Sequence, residues 1–390
     1  FYTDTAICKK IMAELPDFTE KDHIRILEPS VGAGNFLPFI AEKYETKRIL
    51  ELYLIDIDDN ELRIAELIFE TFFREKYSNV AIIYINDDYL KFPVAGKKFD
   101  LVIGNPPYAK IKDYNLQREY RKNSKITKSS NLFVWFLEKA YHDGDWISLI
   151  VPKSILNAPE YDEIREIIKN SHIKSILDFG ENGFKGVKIE TVNLIFNSQE
   201  KSDLTHVVSI TQKIDIVQQQ EYITDNNYPS WLIYRNSDFD RIAEEMQLGV
   251  FDAFRDRQIV NSMLSQTGKY RVLKSRNIGS NSIVDIAGYD SYISDINNLA
   301  VSRYINAENV VLVPNLSYAP RACFLPKNTI ANGSVAFLTL KNNNTALSET
   351  DLDFFATREF RLYYRIARNY GTRLSLIHIS EPTRRTPISY

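Results

Sequence analysis

The sequence is poor in the residues that build cysteine-based and histidine-based sites. It has two cysteines and five histidines among 390 residues. Cys8 and Cys323 lie far apart, which argues against a disulfide framework and against a cysteine-based zinc site. No cysteine or histidine stands in position for a nucleophile or a general base. We therefore expect chemistry without a bound metal.

Long apolar runs and a strong charge of one sign are also missing. No apolar run reaches transmembrane length and no signal peptide is visible, so we expect a cytoplasmic protein without a membrane partner. The net charge of -3 gives no overall basic character, although a neutral total can hide a basic cleft for nucleic acid. The length indicates about two or three domains.

Both ends of the sequence read as interrupted. It starts at Phe1 without a methionine, and the stretch from Leu374 onward resembles a translated sequencing-library adapter. We therefore expect truncation at both ends, and we exclude residues 374–390 from reasoning about the fold, as for any processing or cloning remnant.

The most informative stretch is Asn105-Pro106-Pro107-Tyr108, which directly follows an apolar run expected to be a buried strand. Ligand sites in open α/β sheets lie at such carboxyl ends of strands. An asparagine oxygen and a proline carbonyl side by side can accept both hydrogens of an exocyclic amino group, and a tyrosine can stack on its ring. Alone, the tetrapeptide could equally be a turn that ends in a packed tyrosine.

An earlier strand, residues 24–28, runs into a loop that contains Gly32-Ala33-Gly34 and then into a predicted helix. Strand, glycine loop and helix form a nucleotide-binding arrangement, because glycine lets a ligand approach the backbone. The loop lacks the third glycine of the dinucleotide fingerprint and the Gly-Lys-Ser/Thr of a phosphate loop. It therefore favours a nucleoside-type ligand without a pyrophosphate.

Acidic residues end three successive predicted strands: Glu28, Asp56 and Asp88. An acid at the end of the second strand binds ribose hydroxyls in this architecture. An acid after the third strand could accept from a purine amino group, with Tyr89 packed on the ring. Each acid alone could be a helix cap or a turn residue, but the series after a glycine loop indicates a ligand site.

Strands and helices alternate up to about Asn197, which predicts a doubly wound, largely parallel α/β sheet. The strands at 173–179 and 191–196 are expected at its far edge, and the polar segment 109–130 is expected to be a basic loop that contacts phosphates or solvent. After Asn197 the pattern changes: the polar residues 201–227 are expected to form a linker with short strands, and the remainder mixes short strands with helices. Basic residues recur in this second region: Arg255, Arg257, Lys269, Arg271, Lys274 and Arg276.

The motifs in this order resemble those of the γ-class DNA adenine-N6 methyltransferases of type II restriction–modification systems. The resemblance covers about residues 1–198 and implies a Rossmann-like, class I S-adenosylmethionine-dependent methyltransferase domain over 1–197. The later half resembles a type II target-recognition domain more loosely. The resemblance implies an α+β target-recognition domain over 198–373, incomplete at its end.

The resemblance also implies a role for each matching residue. The methionine part of S-adenosylmethionine would be surrounded by Tyr2, Thr3, Glu28, Pro29, Gly32 and Gly34. Asp56 would hold the ribose and Ile57 would pack on the adenine. Asp88 would bind the cofactor's adenine amino group beside Tyr89. Asp87 is the alternative, although the spacing to Tyr89 favours Asp88.

For the target, the resemblance implies that Asn105, Pro106, Pro107 and Tyr108 form the catalytic loop. Asn105 and Pro106 would hold the amino group of a flipped base, with Tyr108 stacked on the ring and Phe184 packed on it as a second aromatic. Asp4 stands where the family usually has proline, which affects only the local helix cap. The implied partners are double-stranded DNA and a potential cognate restriction endonuclease, with the enzyme itself a monomer.

Other functions remain open from the sequence. Cytosine N4 is a closely related target, and protein-glutamine and RNA N-methyltransferases also use Asn-Pro-Pro-Tyr. The glutamine enzymes usually carry an N-terminal helical domain and end soon after the catalytic fold, unlike this chain. A DNA-binding specificity module that has lost catalysis is the non-enzyme alternative, against which the intact Asn105, Tyr108, Asp56 and Gly32 argue.

Overall fold

The computed structural model of the chain describes residues 3–94, 96, 98–181, 189–315, 317, 319–341, 346–371 and 383–384. The chain divides into two compact units, Phe1–Asp225 and Asn226–Tyr390. The division lies later than the expected boundary near Asn197, because the residues that follow continue the first sheet instead of forming a linker. No helix among the described residues is long and apolar enough to cross a membrane.

The first unit contains nine strands and seven α-helices in its described part. The strands are β1 (His23–Glu28), β2 (Ile49–Asp56), β3 (Val80–Asn86), β4 (Phe99–Gly104), β5 (Gly144–Pro152), β6 (His172–Gly180), β7 (Thr191–Asn197), β8 (Leu204–Ser209) and β9 (Ile214–Gln219). The helices are α1 (Thr5–Glu14), α2 (Leu37–Lys43), α3 (Asp59–Phe72), α4 (Tyr114–Tyr120), α5 (Leu132–Asp143), α6 (Asp162–Lys169) and α7 (Gln220–Ile223), with 3₁₀ helices at Arg121–Asn123, Lys153–Leu156 and Pro159–Tyr161.

These nine strands form one sheet in the order β3-β2-β1-β4-β5-β7-β6-β8-β9. Strands β1 to β5 pair in parallel, whereas β7 pairs antiparallel with both β5 and β6. The order reverses between β1 and β4, which is where doubly wound sheets place their ligands. The predicted Rossmann-like α/β fold is therefore confirmed.

The expectation that β6 and β7 lie at the far edge of the sheet is wrong, because β8 pairs in parallel with β6 and β9 pairs antiparallel with β8. Along β8, Thr205, Val207 and Ser209 are buried and alternate with more exposed neighbours. This period of two is that of a half-covered strand. Small polar residues on the buried face disguised it as a polar linker.

Helices α1 and α3 begin at residues with side-chain caps. Asp4 accepts a hydrogen bond from the Ala6 N–H at 2.8 Å, so the departure from proline at this position still provides a cap for α1. Asp58 caps α3 through the Asn60 N–H at 2.9 Å, and the buried Leu62, Ala65 and Phe69 follow at helical spacing. Such spacing places one apolar face of α3 against the sheet.

The segment 109–130 contains a helix that the sequence pattern did not reveal. Asp113 caps α4 by accepting from the N–H groups of Asn115 and Leu116 at 2.8 and 3.2 Å. Two of its lysines are paired, Lys110 with Glu160 at 3.0 Å and Lys128 with Asp162 at 2.7 Å. Part of the expected basic loop is thus neutralised by acids of the same unit.

The second unit mixes short strands and helices, in agreement with the expected α+β class. Its strands are β10 (Met246–Gln247), β11 (Phe251–Arg255), β12 (Tyr270–Leu273), β13 (Ser291–Ile293), β14 (Val310–Pro314), β15 (Cys323–Phe324), β16 (Thr329–Ala331), β17 (Val335–Leu340) and β18 (Thr383–Arg384). Its helices are α8 (Ser237–Glu244), α9 (Glu349–Asp353) and α10 (Arg358–Ala367), with 3₁₀ helices at Asn261–Met263, Ser275–Asn277, Ala300–Tyr304 and Phe354–Ala356. The sheets run β11-β17-β14-β15, β13-β12-β16 and β10-β18.

Candidate functional site

A cavity of about 760 Å³ lies at the carboxyl ends of β1, β2 and β4 in the first unit. Its volume is in the range of small-molecule and cofactor sites. It brings together residues from the glycine loop, the second strand end and the Asn-Pro-Pro-Tyr loop. The described residues that line it are Thr3, Glu28, Pro29, Ser30, Val31, Gly32, Ala33, Asn35, Phe36, Asp56, Ile57, Glu61, Tyr89, Asn105, Pro106, Pro107, Tyr108, Ala109, Phe136 and Ile189.

The charge of the cavity has one sign. Its described lining carries three carboxylates, Glu28, Asp56 and Glu61, and no lysine, arginine or histidine. Phosphate sites instead use cationic side chains and helix N-termini. The cavity therefore favours a ligand with positive charge and hydroxyl or amino donors, in agreement with the expected nucleoside ligand without a pyrophosphate.

Glu28, the last residue of β1, is 2% exposed. Its Oε2 accepts no hydrogen bond from any residue that the structure describes. Burial, with a smaller contribution from Asp56, raises the pKa of this carboxyl well above its usual range. A buried unpaired carboxylate is costly, so a cationic donor in the cavity would supply the partner that the protein does not.

The two glycines of the loop have different structural roles. Gly32 has a φ of +51°, and a Cβ there would meet nothing within 4 Å, so its backbone faces the open cavity. Gly34 has a φ of +77°, and a Cβ there would lie 2.7 Å from Leu37 Cδ1 and 3.1 Å from Ala65 Cβ. Gly34 does not line the cavity, so it permits close packing of α2 and α3 around the loop.

Asp56 is fixed by two backbone donors at the end of β2. Its Oδ2 accepts from the Gly32 N–H at 2.9 Å and its Oδ1 from the Asp58 N–H at 3.0 Å. The carboxylate therefore ties the second strand end to the glycine loop and still lines the cavity. Beside it, Ile57 is 76% exposed, an apolar surface at the cavity against which a ring could pack.

Tyr89 and Asp88 are adjacent in sequence, but only Tyr89 lines the cavity. Tyr89 is buried in the cavity wall, donates its hydroxyl to Asp143 at 2.9 Å and packs against Phe136. Asp88 does not line the cavity. Its Oδ1 accepts from the Leu90 N–H at 3.0 Å and its Oδ2 from the Tyr120 hydroxyl at 2.7 Å.

The Asn-Pro-Pro-Tyr loop leaves β4 with its polar groups in defined positions. Asn105 Oδ1 accepts from the Tyr108 hydroxyl at 2.8 Å, and that hydroxyl also lies 3.1 Å from the Ile150 carbonyl oxygen. The Ser30 hydroxyl donates to the Asn105 carbonyl at 3.1 Å. The Tyr108 ring meets Phe133 edge-on, and its burial raises the pKa of its hydroxyl.

Most of the predicted site residues thus meet in one cavity, but not all. Gly34 and Asp88 lie near it without lining it, whereas Tyr2 and Phe184 lie outside the described residues. The sequence reasoning missed Ser30, Glu61 and Tyr120. Ser30 lies within the recognised loop, whereas Glu61 and Tyr120 lie on helices whose orientation the motifs do not give. The described residues contain no group of three or more side chains placed to hold a metal ion.

Comparison with known proteins supports the resemblance. Residues 40–184 match the family model described as Eco57I restriction-modification methylase. Over 186 residues the chain is 30% identical to the modification methylase CviBIII of Paramecium bursaria Chlorella virus NC1A, covering 46% of this chain and 44% of that protein. It is 25% identical over 205 residues to the type II methyltransferase M.CvrRI of virus XZ-6E, covering 51% and 48%.

Among solved structures, the methyltransferase subunit of a type I restriction-modification system from Streptococcus thermophilus is similar at 15% identity and a TM-score of 0.46, covering 58% of this chain and 57% of that one. The matched part of the chain spans less than half the length of the two curated relatives. The resemblance to restriction–modification methylases predicted from the motifs is confirmed, and the matched residues 40–184 contain Asp56 and the Asn105–Tyr108 loop.

Proposed function

We propose that this chain transfers a methyl group from S-adenosylmethionine to N6 of an adenine in double-stranded DNA, as the modification enzyme of a restriction–modification system. One observation carries the proposal: a single cavity is lined by the Asn105–Tyr108 loop and by three acidic side chains, with no cationic side chain among its described lining residues. A cationic methyl donor and an amine acceptor would therefore share one space.

The cavity fits S-adenosylmethionine, which carries a sulfonium, an ammonium, a carboxylate and a ribose. The buried Glu28, with its unpartnered oxygen, would accept from the ammonium at the methionine end, beside Thr3 and the glycine loop. Asp56 would accept from the ribose, and Ile57 and Tyr89 would flank the adenine. When bound, the cofactor supplies an already activated methyl group.

Asn105 and Pro106 would act on the target amine. The lone pair of an adenine amino nitrogen is delocalised into the ring, which makes it a poor nucleophile. Acceptance of its two hydrogens by Asn105 Oδ1 and the Pro106 carbonyl favours a more tetrahedral nitrogen and stabilises the positive charge that develops there. Alignment of the amine in the cavity supplies the remaining acceleration.

The target atom lies inside a duplex, so the base must be extruded into the cavity, where Tyr108 would stack on it.

We assign DNA recognition to the second unit. In that unit Lys274 Nζ and Arg276 Cζ lie 4.1 and 4.9 Å from the centre of the Tyr289 ring. This basic and aromatic combination is typical of nucleic-acid contacts. Arg271 is instead engaged by Asp285 and Asp290. The enzyme would act as a monomer beside a separate endonuclease.

The test is incubation of the chain with tritiated S-adenosylmethionine and unmethylated plasmid DNA, total RNA or cell protein, followed by mass spectrometry of the nucleosides. We expect N6-methyladenine in DNA, and about a hundredfold to a thousandfold less of it per unit time with the matched variant Asn105→Ala. Detection of N4-methylcytosine would show that the target base is cytosine and would refute the assignment to adenine. Label in RNA or protein alone would refute it, and so would cofactor binding without transfer to any substrate.

A further inference from the structure

Glu61 is an acid of the cavity that the motifs do not mark. It lies in the first turn of α3, and its Oε2 is buried without a hydrogen-bond partner among the described residues. Ala65, one turn further, packs against Gly34. Residues four apart share a helix face, so Glu61 lies on the face of α3 that covers the glycine loop.

The neighbouring acids already have other partners. Asp58 caps α3, and Asp59 pairs with Arg63 at 2.7 Å. Asp56 is fixed by backbone N–H groups at both oxygens. Of these acids, Glu61 lines the cavity and has an oxygen, Oε2, to which no described residue donates. A buried polar atom without a partner costs free energy, so a hydrogen bond from a ligand to this oxygen would stabilise the complex.

The position selects the kind of donor. Glu28 ends β1, at the methionine end assigned above, whereas Asp56 ends β2 and Glu61 lies in the first turn of α3, on the two sides of one short connection. Two acceptors that flank one short connection match the two adjacent hydroxyl groups of a ribose. We propose that Glu61 accepts a hydrogen bond from one ribose hydroxyl of the cofactor while Asp56 accepts from the other, an assignment that rests on the proposed function.

Isothermal calorimetry with S-adenosylhomocysteine, its 2′-deoxy and 3′-deoxy analogues and 5′-methylthioadenosine tests this assignment. For Glu61→Ala we expect about tenfold weaker binding of S-adenosylhomocysteine, as for loss of a hydrogen bond to a charged group. One of the two deoxy analogues should bind the wild-type protein about tenfold more weakly than S-adenosylhomocysteine does. The same analogue and S-adenosylhomocysteine should bind Glu61→Ala equally well. Glu61→Gln, which retains an acceptor, should recover most of the affinity.

The matched control is Glu66→Ala, because Glu66 is exposed on the same helix and does not line the cavity; it should bind like wild type. The Glu61→Ala effect should persist with 5′-methylthioadenosine, which has the ribose but no amino acid. An effect confined to S-adenosylhomocysteine would assign Glu61 to the ammonium and overturn the inference, as would unchanged affinity in Glu61→Ala. Failure of wild type to bind any of the four compounds would instead refute the proposed function.

Discussion

Replacement of Gly32 and of Gly34 by alanine, one at a time, should distinguish the glycine that contacts the ligand from the glycine that permits helix packing. Both residues have positive φ, +51° at Gly32 and +77° at Gly34. An L-residue in this region costs about 1–2 kcal/mol, and both variants carry that cost. At Gly32 the added methyl group enters open cavity, so the folded protein loses nothing more.

At Gly34 the methyl group meets packed atoms. Leu37 Cδ1, at 2.7 Å, can move aside, but Ala65 Cβ, at 3.1 Å, moves only with α3. Overpacking of this kind costs a further 1–3 kcal/mol, roughly. Gly34→Ala should therefore be about 2–5 kcal/mol less stable than wild type, against about 1–2 kcal/mol for Gly32→Ala. For a unit of this size each kcal/mol lowers the unfolding midpoint by about 2–4 °C.

Thermal unfolding and calorimetric binding of S-adenosylhomocysteine measure both effects. We expect Gly34→Ala to melt several degrees below Gly32→Ala and to keep its affinity while folded. Gly32→Ala should lose affinity, because its methyl group occupies ligand space. Equal melting of the two variants, or a stable Gly34→Ala variant that fails to bind, would refute this division of roles.

Three further changes test other parts of the site. Asn105→Ala should slow methylation about a hundredfold to a thousandfold with S-adenosylhomocysteine affinity unchanged by calorimetry, since the Tyr108 hydroxyl keeps the Ile150 carbonyl as acceptor. Because burial raises the pKa of Glu28 in the folded protein, its contribution to stability without cofactor is fully present below the pKa that Glu28 has in the unfolded chain. This contribution is lost as the pH rises through the pKa that Glu28 has in the folded protein. Cofactor affinity should rise over that same window as the carboxylate forms, and Glu28→Gln should give a flat profile. Lys153→Met should cost about 3–5 kcal/mol in urea unfolding, because the buried carboxylate of Asp178, 2.6 Å from Lys153 Nζ, would lose this cationic partner. Lys153→Met combined with Asp178→Leu should recover most of that loss.

The sequence predicted the part of the site that local chemistry determines. Asp56 ends β2, Asn105 directly follows β4, and Gly32 lies in the loop after β1. Parallel strands bring their carboxyl ends to one edge of the sheet, so the meeting of these three residues follows from the pattern. The roles of Asp88 and Gly34 were implied by the resemblance, and spacing served only to prefer Asp88 over Asp87. Neither could show that Asp88 accepts from the Tyr120 hydroxyl or that Gly34 faces α3.

What the sequence could not give depends on helix rotation and on weak periodicity. Glu61 resembles any acid in a first helical turn until the packing of Ala65 shows which face of α3 covers the loop. The strand β8 was hidden because Thr205 and Ser209 occupy its buried positions. The cap at Asp113 was visible in principle, but no apolar period followed it to indicate a helix.

In the proposed reaction, hydrogen bonds between the loops of the cavity would keep the methyl donor and the amine in alignment. Ser30 joins the glycine loop to the Asn105 carbonyl, and Asp56 joins the second strand end to the Gly32 N–H. Three loops from parallel strands are thereby fixed against each other by the register of one sheet. A methyl donor held by the first two loops and an amine held by the third would then be aligned by the sheet itself, and alignment is the main contribution that an already activated methyl group requires from the protein.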